Sequence, residues 1–245
     1  MRMCRLSLLV IMLLLGFIVK GSAQHADSSL TAEKVLQRYI DACGGAASLQ
    51  AVNDFTFKVT GKAYGRKVNI IIRGKRPGKY LQEINLQKGH KPFSKVVVLG
   101  DSIRLTNYGK QVPVSNRLRN VYKSRSQFFP ELGYLSPDNM TKLELSPQPE
   151  NVKGNPAYVI TIATIDGVIL RNYYDVKTGY KVLSVMLSGQ EEDVPEISTE
   201  LDDYRTVGKI KLPFYFRNSS NNKVTVEAVL KKVDINTGLE NDQFK

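Results

Sequence analysis

From Phe55 to Val233 the apolar residues of this chain recur mostly at every second position. A period of two kept up over that distance commits the chain to antiparallel strands with one buried face. Phe55, Phe57 and Val59 alternate with Thr56, Lys58 and Thr60. Val68, Ile70 and Ile72 repeat the pattern, then Tyr80, Ile84 and Leu86, then Val96 and Val98 ahead of a Gly100-Asp101 turn. Strands resume at Lys142–Leu145, and again with Tyr158, Ile160 and Ile162 behind a Gly154-Asn155-Pro156 turn. An Asp166-Gly167 hairpin turn, Val168–Val176, a Lys177-Thr178-Gly179 turn and Val182–Leu187 continue the meander. An acidic loop, Glu191-Glu192-Asp193, leads to Leu201–Tyr204, Leu212–Phe216 and Val224–Val233. The pattern predicts about ten or eleven strands.

Two segments depart from this period. Leu30–Cys43 reads as a helix: Thr31 is the N-cap, Glu33 lies in the first turn, and Val35, Leu36, Tyr39, Ile40 and Cys43 share one face. Gly44-Gly45 stops it and Ala46–Val52 forms a second short helix. The other departure is Asn116–Leu135. There Leu118, Val121, Tyr122, Phe128, Phe129 and Leu132 are interleaved with Arg117, Arg119, Lys123 and Arg125, a basic helical segment that Pro130 interrupts and Ser136-Pro137-Asp138 ends.

The first residues read as an export signal. Arg2 and Arg5 precede an apolar run, Leu6–Val19, and Gly21-Ser22-Ala23 supplies small residues for cleavage after Ala23. The run is short of the roughly 20 residues that span a bilayer. No Cys follows the small residues, so the exported chain is expected to be soluble and unlipidated. The expected organisation is a signal peptide over 1–23, a linker over 24–29 and a single domain over 30–245, placed in the periplasm, with secretion as the alternative. Cys43 would then be the only thiol, so burial rather than disulfides must hold the fold.

Little in the composition points to catalysis. The two histidines, His25 and His90, lie in the linker and in a turn, and neither is close in sequence to Cys43. No His, Cys or carboxylate spacing matches a zinc, iron or calcium site, so neither metal nor cofactor is expected. Gly61-Lys62-Ala63-Tyr64-Gly65-Arg66 lies between two strands and reads as a hairpin end, not a phosphate cradle. The net charge of +12 favours anionic partners. With an export signal and aromatics that alternate as core would require, that partner is an anionic envelope surface and not nucleic acid.

Several phrases of the second half occur together and in order: Gly154-Asn155-Pro156-Ala157-Tyr158-Val159-Ile160, Tyr173-Tyr174-Asp175-Val176-Lys177-Thr178-Gly179, Asp203 through Phe214, and Val233-Asp234-Ile235-Asn236-Thr237-Gly238-Leu239 with Phe244. With the opening helix, Gly-Gly and second short helix, residues 30–245 resemble the outer-membrane lipoprotein-sorting (LolA-like) superfamily of gram-negative bacteria. The resemblance implies a mainly β fold with some α: a curved, incomplete antiparallel barrel whose helices cover the concave face above an apolar cavity for acyl chains.

Together these readings predict a non-enzymatic periplasmic carrier or chaperone, acting in outer-membrane lipoprotein sorting or envelope biogenesis and binding lipid acyl chains or lipoproteins. Envelope membrane proteins are further expected partners. Strand alternation nominates Val68, Ile70, Ile72, Ile84, Val96 and Val98 from the first half as cavity lining. From the second half it nominates Ile160, Ile162, Leu170, Val185, Leu187, Phe214 and Phe216. The basic helix, through Arg117, Leu118, Arg119, Val121, Tyr122 and Arg125, is nominated as a lid or membrane-facing element. Two alternatives stay open. One is an interaction module of an envelope complex with a filled barrel. The other is a lipid or glycan hydrolase, placed last because no base, nucleophile and orienting group can be named together.

Overall fold

The computed structural model describes residues 30–87, 92–136, 140–165, 167–187 and 196–245, and at Arg117 the backbone alone. The predicted signal and linker, both histidines, Pro137-Asp138, Asp166 and the acidic loop lie outside the described residues.

Thr31 caps the first helix, α1 (Ala32–Ala42), as its sequence predicts, its hydroxyl accepting from the Lys34 amide at 3.3 Å. Gly44 and Gly45 follow, both at positive φ, and α2 (Ala46–Gln50) completes the pair. A β-carbon on Gly44 would stand 2.3 Å from the Lys209 carbonyl oxygen, so this glycine is needed for close approach as well as for the turn.

One antiparallel sheet then takes up most of the chain. Its first half is a meander: β1 (Asp54–Ala63), β2 (Arg66–Lys75), β3 (Lys79–Leu86), β4 (Ser94–Leu99), β5 (Ser102–Asn107) and β6 (Lys110–Val112). The helices α3 (Asn116–Ser126) and α4 (Pro130–Tyr134) lead to the second half: β7 (Lys142–Leu145), β8 (Glu150–Val152), β9 (Asn155–Ala163), β10 (Ile169–Asp175), β11 (Lys181–Leu187), β12 (Ile197–Val207), β13 (Ile210–Ser220) and β14 (Lys223–Ile235). The strand order is β6-β5-β4-β3-β2-β1-β14-β13-β12-β11-β10-β9-β7, with β8 beside β9, so the two meanders meet at a β1–β14 seam and β6 and β7 are left as edges. The 14 strands among the described residues exceed the predicted number. The excess comes from β5, β6 and β8, of which two are three-residue strands too short to show a period.

The sheet curls. Val35, Leu36, Tyr39 and Ile40 of α1 share one core with Ile160 of β9, Tyr174 of β10 and Leu212 of β13, against Phe57 of β1 and Val233 of β14. Six strand steps separate β1 from β9, about 29 Å in a flat sheet. A helix of 11 residues is only about 16 Å long. The strands must therefore wrap around α1, which makes an unclosed, strongly curved half-barrel.

Among the described residues, the up-and-down connections sort the turns to one of two ends. At one end lie α1, α2, the turns after β2, β4, β10 and β12, and the C-terminal residues, with Arg38 of α1 donating to the Lys177 carbonyl at 3.3 Å. The opposite end is a rim of hairpin tips: Tyr64-Gly65, Tyr108-Gly109, Thr164-Ile165 with Gly167-Val168, and Asn221-Asn222, with Met140 leading into β7.

Candidate functional site

Register fixes which side chains face the concave side. Phe57 pairs with Ile72, Val59 with Ile70 and Gly61 with Val68, and Ile70 pairs onward with Ile84. Across the seam Gly61 meets Ala228, which meets Phe216. Val68, Ile70, Ile72, Ile84, Phe214 and Phe216 therefore face inward together. They pack on Val59, Ala63, Ala228 and Leu230 in one cluster, with Val68 and Ile70 fully buried. Val96 and Val98 also face inward, beneath Leu118 and Tyr122 of α3. Ile160 and Ile162 lie buried in the core shared with α1.

Val185 and Leu187 face the other way. Leu170 pairs with Met186 and Asn172 with Ser184, which puts Ser184 and Met186 inside and Val185 outside in a cluster with Ala157, Val159 and Tyr173, against which Leu187 packs. Alternation alone could not choose between the faces here, because Val182, Leu183, Val185, Met186 and Leu187 put apolar residues on both sides of β11.

Between the helices and the second meander is a cavity of about 270 Å³. Leu170, Asn172, Ser184, Met186, Ile197 and Thr199 form its floor on β10, β11 and β12. Val121, Ser124 and Arg125 of α3, Gln127, and Pro130 and Tyr134 of α4 form its roof, while Val168 and Lys181 complete the wall. The lining is graded by register. Lys181, Asn172 and Ser184 lie toward the α1 end, Val168, Met186 and Ile197 toward the hairpin rim. Leu170, Val121 and Arg125 are the nominated residues that the cavity brings together. Met186, Asn172, Ser184 and Lys181 escape a reading that seeks only apolar alternation.

The polar end is built from satisfied groups. Lys181 Nζ and Glu131 Oε1 form an ion pair at 2.5 Å with little solvent exposure, and the same ammonium lies 5.4 Å from the Tyr39 ring centroid. Ser184 donates to Asn172 Oδ1 at 2.7 Å, and Asn172 Nδ2 donates to the Tyr174 hydroxyl at 3.3 Å. Burial first, and then the Glu131 carboxylate, pushes the Tyr134 and Tyr174 phenols upward, so both stay protonated donors.

The roof is lightly attached. Ser115 caps α3, and among the described side chains of that helix Val121 and Ser126 are buried. Arg119 donates to the Asp101 carbonyl at 3.1 Å, and Lys123 pairs with the Asp101 carboxylate, holding it below its usual range. Arg125 lies 5.7 Å from the Tyr122 ring centroid. The α3–α4 junction is fixed by Phe128, whose ring is tilted against Phe55 at 4.7 Å and under Arg76 at 5.3 Å. Phe129 follows in the left-handed region at φ 51, and α4 starts at Pro130.

The Cys43 thiol is buried under α1, and that burial pushes its pKa up to about 11, a state opposite to that of a nucleophilic thiolate. Among the described residues no group of three or more His, Cys, Asp or Glu could hold a metal ion, and no helix is long and apolar enough to cross a membrane.

No protein-family model matches the chain, and no curated protein matches it in sequence. Solved structures do match. A LolA superfamily protein from Nitrosomonas europaea aligns at TM-score 0.55 and 10% identity over 89% of this chain and 98% of its own. A domain named for outer membrane lipoprotein sorting from Vibrio parahaemolyticus aligns at TM-score 0.57 and 13% identity over 88% of this chain and 97% of its own. A DUF1329 family protein from Desulfovibrio piger aligns at 0.57 and 10% over 87% and 97%. At such identities the likeness is one of architecture, and the chain has the LolA-like fold.

Proposed function

We propose that this protein is a non-enzymatic carrier that binds acyl chains of lipids or lipoproteins beneath α3 and α4, exported to the periplasm to serve outer-membrane lipoprotein sorting or envelope biogenesis. The observation that carries this reading is the graded cavity under a lightly attached roof. A methylene chain would lie over Leu170, Met186 and Ile197, and a polar head would meet Lys181, Asn172 and Ser184. A cavity of 270 Å³ is just under the roughly 300 Å³ where small-molecule sites begin, so a full chain requires α3 to lift. Burying about ten methylenes at about 0.8 kcal/mol each would contribute on the order of 8 kcal/mol before association and ordering costs.

The fold of the lipoprotein-sorting domain from Vibrio parahaemolyticus supports the same reading by analogy of architecture. The close-packed cluster of Val59, Val68, Ile70, Ala228 and Leu230 favours a second reading, an interaction module whose barrel is filled.

Native mass spectrometry of the gently purified protein, followed by organic extraction and lipid analysis, separates the two. The carrier reading expects stoichiometric acyl ligand. Ligand-free protein that also fails to bind a fluorescent acyl probe would overturn it, and copurification of that protein with one envelope partner would put the interaction module in its place.

A further inference from the structure

Large apolar side chains that remain exposed are not scattered over this molecule. Of the six among the described residues, Tyr64, Tyr108, Met140, Ile165 and Val224 stand on the hairpin rim, and Leu99 alone is at the other end. Tyr64, Tyr108, Met140 and Ile165 are each more than 70% exposed. Those tips and their flanking strand residues also carry exposed Lys62, Arg66, Lys67, Lys110, Lys142 and Lys223, against two exposed acids, Glu196 and Glu227, the latter paired opposite Lys62.

The backbone supplies an independent observation. Three tips of the rim are two-residue turns with both central residues at positive φ: Tyr64-Gly65 at 48 and 75, Tyr108-Gly109 at 49 and 76, and Asn221-Asn222 at 46 and 60. Such turns select Asn, Asp or Gly at the first central position, and Asn221 obeys. Tyr64 and Tyr108 do not, and a bulky residue in the left-handed region is conformationally disfavoured. Both rings are mostly in solvent. Tyr108 touches the Phe93 ring with its centroid 5.9 Å away, whereas at Tyr64 neither packing nor local geometry accounts for a tyrosine.

We propose that the hairpin rim is a membrane-docking surface that settles on an anionic lipid bilayer, with the tip tyrosines and Ile165 in the headgroup layer and the flanking lysines and arginine on lipid phosphates. Tyrosine is favoured at that depth because its ring is apolar and its hydroxyl stays hydrated. Long basic side chains lay their stems along the interface and keep their charges at the headgroups. The rim is available for docking whether or not the cavity holds a ligand. Should it hold one, its Val168, Met186 and Ile197 end faces this same rim.

The turn geometry yields a variant that tests docking without threatening the fold. Tyr64→Asn with Tyr108→Asn installs the residue these turns prefer, a gain that offsets the lost Tyr108–Phe93 ring contact, so the melting temperature is expected to hold. In cosedimentation, the unaltered protein is expected to bind phosphatidylglycerol-containing vesicles, to bind phosphatidylcholine vesicles weakly, and to lose affinity as salt is raised. The double variant should bind roughly tenfold or more weakly, since two side chains no longer leave water. Lys62→Gln with Arg66→Gln and Lys67→Gln should lower binding to anionic vesicles and flatten its salt dependence, whereas Leu99→Asn, at the opposite end, should change nothing. An unaltered protein that ignores protein-free vesicles of either kind would overturn the proposal and leave the rim to a protein partner. Undiminished binding by the folded tyrosine double variant would overturn it as well.

Discussion

At the scale of single residues, the phrases that carry the family resemblance prove to be turn and junction chemistry. Asp54 is buried at the start of β1, where its carboxylate accepts from the Thr237 amide at 2.9 Å, the Thr237 hydroxyl at 3.3 Å and the Gly238 amide at 3.0 Å. Asn236 accepts from the Asn53 amide at 2.7 Å and donates to the Ala51 carbonyl at 2.8 Å. Asp175 collects the Lys177 and Thr178 amides and the Thr178 hydroxyl into the turn before β11. Such residues announce a fold from sequence because their hydrogen-bonding roles are local, and for the same reason they are silent about ligand. Asp54→Ala strands three donors and should lower the unfolding free energy by about 3 kcal/mol in urea titrations. Cys43 offers a check by pH. Its folded pKa is raised from 9.0 to about 11, so between those values the unfolded chain has lost the thiol proton while the folded chain keeps it. Stability should therefore fall as pH rises through that window. Urea midpoints measured below and inside the window should show less of this fall in Cys43→Ala.

At the scale of elements, α1 is readable from its 3.6-residue stripe and its Thr31 cap, and its buried face is the one the stripe predicts. The inward faces of β1 and β2 are equally legible, since each largely alternates apolar with polar residues, whereas β9 is apolar on both faces, with Ala157 and Val159 outside and Ile160 and Ile162 inside. β11 is not legible. Its cavity-lining residues are Lys181, Ser184 and Met186, and a register shift between Tyr173 and Tyr174 alters the pairing beside it. The α3–α4 roof depends on contacts that sequence spacing cannot show. A β-carbon on Gly74 would lie 2.5 Å from the Phe55 ring and 2.6 Å from the Phe128 ring, so glycine leaves the space in which the two rings meet. Gly74→Ala should cost about 1–3 kcal/mol by overpacking. It should also speed amide exchange in α3 more than in α1, as mass spectrometry of hydrogen exchange would show. Met186→Trp should fill the floor of the cavity and abolish acyl-probe binding while leaving the circular dichroism spectrum unchanged.

At the scale of the whole molecule, the seam between β1 and β14 holds the two meanders together. A β-carbon on Gly61 would stand 2.2 Å from the Glu227 carbonyl oxygen and 2.6 Å from the Ala228 Cα. Gly61→Val should therefore push the meanders apart, at a cost above about 3 kcal/mol, and replace a single urea transition by two or by none. Nearly every other strand pairing is a hairpin between neighbours in the chain, while Asp54 meets Thr237 across 183 residues. That contrast governs the order in which the molecule can come into being. During synthesis each hairpin can form soon after it is made, but α1 has no core to sit in until β9, β10 and β13 exist, and the seam has no partner strand until β14 does. A nascent chain lacking its last strand is thus a string of marginal hairpins beside an unpartnered amphipathic helix, open to chaperones and to unfolding alike, and maturation waits for the final few dozen residues.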